Sequence, residues 1–99
     1  MSVEALIDAR IHATVSGRAQ GVSFRYFVVE QAQRLNLRGW VRNRYDGSVE
    51  VTAEGPRPDL EHLLQVLHIG PAMANVSEVA CEWLPATNEF TSFWVRSTG

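Results

Sequence analysis

The sequence predicts an α+β sandwich in which one antiparallel sheet carries two helices on one of its faces. Three observations lead there. Ala9 to Ser16 alternates strictly between apolar and polar residues. Two stretches, Phe24, Val28, Ala32, Leu35 and Leu60, Leu63, Leu64, Leu67, repeat apolar residues at helical spacing. Further alternating stretches lie between and after them, so the elements run β-α-β-β-α-β with one short strand added at the end.

Residues 1–8 form a lead-in with no clear partner, an N-terminal extension to a domain spanning 9–99. In the first strand, Ala9, Ile11, Ala13 and Val15 share one face, and Arg10, His12, Thr14 and Ser16 share the other. Such alternation marks a half-buried strand. A loop from Gly17 leads to a helix expected over Ser23–Leu35, with Ser23 as its cap and Asn36 as its stop. Tyr26 and Phe27 within it are read as core aromatics.

Leu37–Arg44 and Ser48–Glu54 form a hairpin around the turn Tyr45-Asp46-Gly47, with Val49, Val51 and Ala53 inward. Gly55-Pro56-Arg57-Pro58 breaks the strand. Pro58 and the acids Asp59 and Glu61 open the second helix, and Gly70-Pro71 ends it. Val76–Leu84 alternates as a fourth strand, and Phe90–Arg96 returns as a last strand expected to pair with its predecessor as a hairpin. This order is that of the split-βαβ, ferredoxin-like sandwich.

Composition narrows the chemistry. A chain of 99 residues suits one domain, and 45% hydrophobic with 20% charged residues is ordinary globular usage. No apolar run is long enough to cross a membrane. The start, Met1-Ser2-Val3-Glu4-Ala5, lacks the basic and apolar parts of a secretory signal, so a cytoplasmic protein is expected. Net charge is −2, which offers nucleic acid no broad basic field. All nine cationic side chains are arginine, and the absence of lysine excludes Walker-type phosphate loops and Schiff-base chemistry. His12, His62 and His68 do not show metal-ligand spacing and are read as surface histidines. The single cysteine, Cys81, is read as a small buried apolar side chain.

The informative stretch is Gly17-Arg18-Ala19-Gln20-Gly21-Val22-Ser23-Phe24-Arg25. A strand enters it, a helix leaves it, and glycines bracket it. Successive backbone N–H groups can therefore converge at the positive end of a helix, where an oxyanion is stabilised. Arg25, in the first helical turn, adds a permanent charge whose fork suits phosphate oxygens. On spacing alone, an ordinary strand-to-helix turn explains the same residues. Asn43 is the second informative residue. It sits near the end of its strand, where its amide offers an acceptor and a donor that can hold a water, or where it simply begins the hairpin turn.

Taken together, these residues resemble the acylphosphatases. The first family signature, Gly-x-Val-Gln-Gly-Val-x-Phe/Tyr-Arg, matches Gly17–Arg25 except at Ala19, where valine is usual. The second matches Gly39-Trp40-Val41-Arg42-Asn43, followed by Gly47-Ser48-Val49 and Gly55. The resemblance spans roughly Arg10 to Arg96. A monomer is expected, and the resemblance implies hydrolysis of the carboxyl-phosphate anhydride of a small-molecule acyl phosphate, without metal or nucleotide cofactor. It also implies roles: Arg25 and Asn43 as catalytic residues, with Ala19, Gln20, Gly21, Val22 and Arg25 binding the phosphoryl group. The smaller Ala19 loosens packing behind the loop without removing a donor. Two other readings are a non-catalytic phosphate- or acyl-phosphate-binding module and, with Trp40, Trp83 and Trp94 on strands, a single-stranded RNA-binding sheet. The module has no need of Asn43, and the RNA reading lacks an aromatic central-strand motif.

Overall fold

The computed structural model describes residues 7–99, so most of the expected N-terminal extension, residues 1–6, lies outside the described residues. The elements are β1 (Asp8–Arg18), α1 (Phe24–Arg34), β2 (Arg38–Asn43), β3 (Val49–Pro56), α2 (Arg57–Ile69), β4 (Asn75–Pro85) and β5 (Phe93–Val95). Asp8, counted with the lead-in above, is the first residue of β1, where it faces Pro56 across the ladder and pairs with the Arg38 guanidinium.

The strands form one sheet in the order β4-β1-β3-β2-β5. β4, β1, β3 and β2 pair with one another antiparallel, set in register by apolar pairs such as Ala13 with Val51 and Val41 with Val51. The expected hairpin between the last two strands does not form. β5 instead joins the opposite edge and runs parallel to β2, with Trp94 beside Trp40, so the sheet is mixed. The cause lies in β3. Glu54 is completely buried on the face away from the helices and needs donors. The segment after β4 supplies them: Thr87 N–H and Oγ1–H, and Asn88 N–H, donate to its carboxylate at 2.8 to 3.0 Å, with Arg10 at 3.6 Å. The chain is thereby drawn across the open face of the sheet to its far edge.

The other face carries both helices. α1 contributes Phe24, Val28 and Ala32, and α2 contributes Leu60, Leu63 and Leu67, to a core shared with Ile11, Ala13, Val15, Val41, Val49, Val51, Ala53 and Phe93. Burying each larger side chain here is worth roughly 1.5–3 kcal/mol. Gly70 caps α2, its N–H donating to Val66 O at 2.9 Å. Asn36 takes the left-handed conformation just beyond α1, as expected of a stop.

Two readings of individual side chains fail. Tyr26 is 70% exposed rather than core, because it lies off the stripe that faces the sheet, whereas Phe27 packs against the core. Cys81 does lie on the helix-facing side, opposite Ala13, but β4 is an edge strand and the thiol there is exposed. Trp83 shares that side, under the Arg57 guanidinium, so only Trp40 and Trp94 stand on the open face.

Candidate active site

The loop between β1 and α1 turns on two residues in left-handed conformation, Gly21 at φ 74° and Ser23 at φ 62°. Gly21 adopts this freely, and alternating hands make successive amides point to one side. Ser23 precedes the helix but its hydroxyl makes no capping hydrogen bond, which corrects its expected role. The first turn of α1 also contains no acidic residue. Its N–H groups, which no helix can satisfy internally, therefore remain available to an external anion. Ala19 N–H is already used, donating to Gly17 O at 3.1 Å, so the donors open to a ligand begin at Gln20.

Asn43 reaches this loop from the end of β2. β2 does not neighbour β1, since β3 lies between them. Val41 faces the helix layer, so two residues on, at the strand end, Asn43 faces it as well, beside the start of α1. A pocket of about 230 Å³ results, lined by Ala19, Gly21, Ser23, Phe24, Arg25, Tyr26 and Asn43. Among the expected site residues, Ala19, Gly21, Arg25 and Asn43 meet there. Val22 packs against the core instead, leaving its backbone in the loop. The Gln20 side chain turns away and donates to Arg44 O at 2.7 Å and Ser48 O at 2.8 Å.

Two features give the pocket its chemistry. Among the described residues, no carboxylate lies within ion-pair distance of Arg25, whereas six of the other arginines are so paired. Its charge is thus open to a ligand. Asn43 Oδ1 is buried and is the single buried side-chain polar atom among the described residues without a hydrogen-bond partner. An acceptor with no partner in the protein is free to take a hydrogen bond from a water or a ligand. A second hollow of about 230 Å³, lined by Ser16, Gly17, Asp46, Gly47 and Ser48, holds no cation and no orphaned group. There the Asp46 carboxylate accepts from Ser48 Oγ–H at 2.6 Å and Ser48 N–H at 2.9 Å, which holds its pKa below the usual range and fastens the turn. Among the described residues, no group of three or more His, Cys, Asp or Glu side chains is placed to hold a metal ion.

Sequence reasoning missed the roles of Glu50 and Glu54. Alternation assigned them to solvent, yet Glu50 is 6% exposed, held by His12 Nε2 and Arg42 Nε, each at 2.6 Å. Two carboxylates four positions apart on the outward face of a strand, paired across the ladder with Arg42 and with Arg10 and Arg38, were the available signal.

Known proteins resemble the chain in sequence and in fold. The sequence matches the acylphosphatase family profile over residues 11–95. It is 46% identical over 89 residues to an acylphosphatase of Salinibacter ruber, covering 90% of this chain and 94% of the relative. Among solved structures, an acylphosphatase from Coxiella burnetii superposes with a TM-score of 0.86 at 40% identity, covering 97% of this chain and 100% of that one. One from Bacillus subtilis gives a TM-score of 0.86 at 34% identity, covering 89% and 98%.

Proposed function

The chain belongs to the acylphosphatase family, enzymes that hydrolyse the carboxyl-phosphate anhydride of acyl phosphates, and we propose that it does so with Arg25 and Asn43 as its catalytic residues. Arg25 holds the phosphoryl dianion with its guanidinium fork and stabilises charge on the equatorial oxygens. The amides of Gln20, Gly21 and Val22, with the first turn of α1, share that charge at the helix N-terminus.

Asn43 Oδ1 accepts a hydrogen bond from the attacking water and aligns it opposite the leaving carboxylate, converting a chance encounter into an oriented one. The single observation that carries this reading is that a buried, unpartnered acceptor and an unpaired guanidinium open on the same pocket. No side-chain base is needed. In a loose phosphoryl-transfer transition state the nucleophile is barely bonded, so its proton passes to a phosphoryl oxygen. The leaving carboxylate, with a conjugate-acid pKa of about 4, departs unprotonated. The same economy removes any requirement for a metal. Every group invoked comes from one chain, which suits a monomer, and a chain with one thiol suits the reducing cytoplasm.

The test is steady-state hydrolysis of a synthetic aryl acyl phosphate in chelator-containing buffer, native chain against Arg25→Ala. The native rate should survive chelation, and the variant should lose on the order of a hundred- to a thousandfold. An Arg25→Ala enzyme of native rate would remove Arg25 from the mechanism.

A further inference from the structure

The Gln20 side chain lines neither the pocket nor the core. Its amide nitrogen spends both hydrogens on two backbone carbonyls, Arg44 O at 2.7 Å and Ser48 O at 2.8 Å. Those carbonyls do not depend on it. Arg44 O already accepts from Gly47 N–H at 3.1 Å, and Ser48 O from Arg44 N–H at 2.9 Å. Asp46 further fastens the turn through Ser48. The hairpin is therefore closed without Gln20, and the two extra bonds do something other than form it.

Their placement shows what. Arg44 follows Asn43, and Ser48 precedes Val49, the residue opposite Asn43 in the ladder. The Gln20 amide thus grips the chain on both sides of the Asn43–Val49 pair. Its own backbone lies in the anion loop between Ala19 and Gly21, which line the pocket. One side chain spans from the loop that would hold the phosphoryl group to the strand end that would hold the water.

We infer that Gln20 is a positioning residue that fixes the distance between the phosphate loop and Asn43, and so the line of attack of the water on phosphorus. This rests on the reading of Asn43 given above. Gln20 touches no substrate through its side chain. It acts through Asn43, whose effect depends on reaching the water at the correct distance.

The experiment is a double-mutant cycle of Gln20→Met and Asn43→Ala, reading kcat for a synthetic aryl acyl phosphate and inhibition by inorganic phosphate. A misplacement near 1 Å costs on the order of a hundredfold, so Gln20→Met should lower kcat by about that factor. Phosphate inhibition, which reports the loop and Arg25, should change within about threefold, as for uncoupled sites. On the Asn43→Ala background, Gln20→Met should cost less than about threefold, because the group it positions is already gone. Losses that multiply instead overturn the inference while leaving Asn43 its role. An Asn43→Ala enzyme of native kcat overturns both.

Should Gln20→Met fail to fold, Gln20→Glu decides the matter. A carboxylate facing two carbonyls donates nothing, and those oxygens favour its neutral form. Gln20→Glu should be slow at neutral pH and recover partly as acid restores one O–H donor, a recovery absent from the native profile. Native activity of Gln20→Glu at neutral pH overturns the inference.

Discussion

Removing Asn43 separates stability from catalysis in a way few substitutions do. A buried polar atom without a partner costs a folded protein roughly 1–3 kcal/mol, and Asn43 Oδ1 is such an atom. Asn43→Ala deletes that liability. It also forfeits some packing and a few tenths of a kcal/mol of strand preference. An ordered water on the native Asn43 would offset part of the liability, at about 0–2 kcal/mol of immobilisation. The balance lies between neutral and about 1 kcal/mol in favour of the variant, which for a domain of this size raises Tm by up to about 4–8 °C. Over the same step kcat should fall on the order of a hundred- to a thousandfold, the usual cost of deleting a transition-state partner. Calorimetry and steady-state hydrolysis on one preparation give both numbers. A variant that loses more than about 1 kcal/mol of stability, or keeps more than about a tenth of native kcat, would show that Asn43 is a structural residue of the hairpin and not the water's acceptor.

Two further outcomes follow from the sheet. A Cβ on Gly39 would stand 1.9 Å from Thr52 O in the adjoining strand, at a backbone φ of +147° that side chains disfavour. Gly39→Ala should therefore lose more than about 4 kcal/mol or fail to fold, and a urea titration placing it within 1 kcal/mol of native would contradict the close approach of β2 to β3. For Glu54 and Glu50, burial works to raise the pKa. Hydrogen bonds from Thr87 and Asn88 to the one, and from His12 and Arg42 to the other, outweigh it and leave both lowered. Their folded pKa values lie below the unfolded value of about 4.3, so the stability they add is complete above it and is lost as pH falls through the folded values. The urea midpoint should hold down to about pH 5 and then decline, and Glu54→Gln should flatten that decline. An unchanged slope in the variant would refute the anchoring role of Glu54.

Most of the architecture was legible because alternation and helical spacing report which face of an element is buried, and Ile11, Ala13, Val15 and the Leu60–Leu67 stripe obey that rule. What periodicity does not report is which strand neighbours which. β5 is three residues long, and its place beside β2 was decided by the donors that Glu54 requires from Thr87 and Asn88, an interaction across more than thirty positions. Cys81 illustrates the same limit: its face was read correctly, but exposure depends on β4 being an edge. At the site, glycine spacing and Arg25 were visible in the chain, and Asn43 gained meaning from its signature. The direction of the Gln20 side chain carries no sequence signal, since a loop glutamine reads equally as ligand, brace or surface.

The crossing of the open face has a consequence for how the molecule meets its own kind. A bare β2 edge would present unpaired amides and carbonyls to any extended chain, the usual opening for strand-by-strand association. β5 covers β2 and becomes the edge itself, three residues long, and the tail pairs along β2 beyond it: Arg96 N–H donates to Val41 O at 2.8 Å and Gly99 N–H to Asn43 O at 3.1 Å. The remaining edge, β4, carries Glu78 and Glu82 on one face, and two such edges brought together antiparallel about Ala80 would set carboxylate against carboxylate. One buried glutamate, by steering a seven-residue connection over the sheet, thus leaves the protein one border that is only three residues long and another that is guarded by charge.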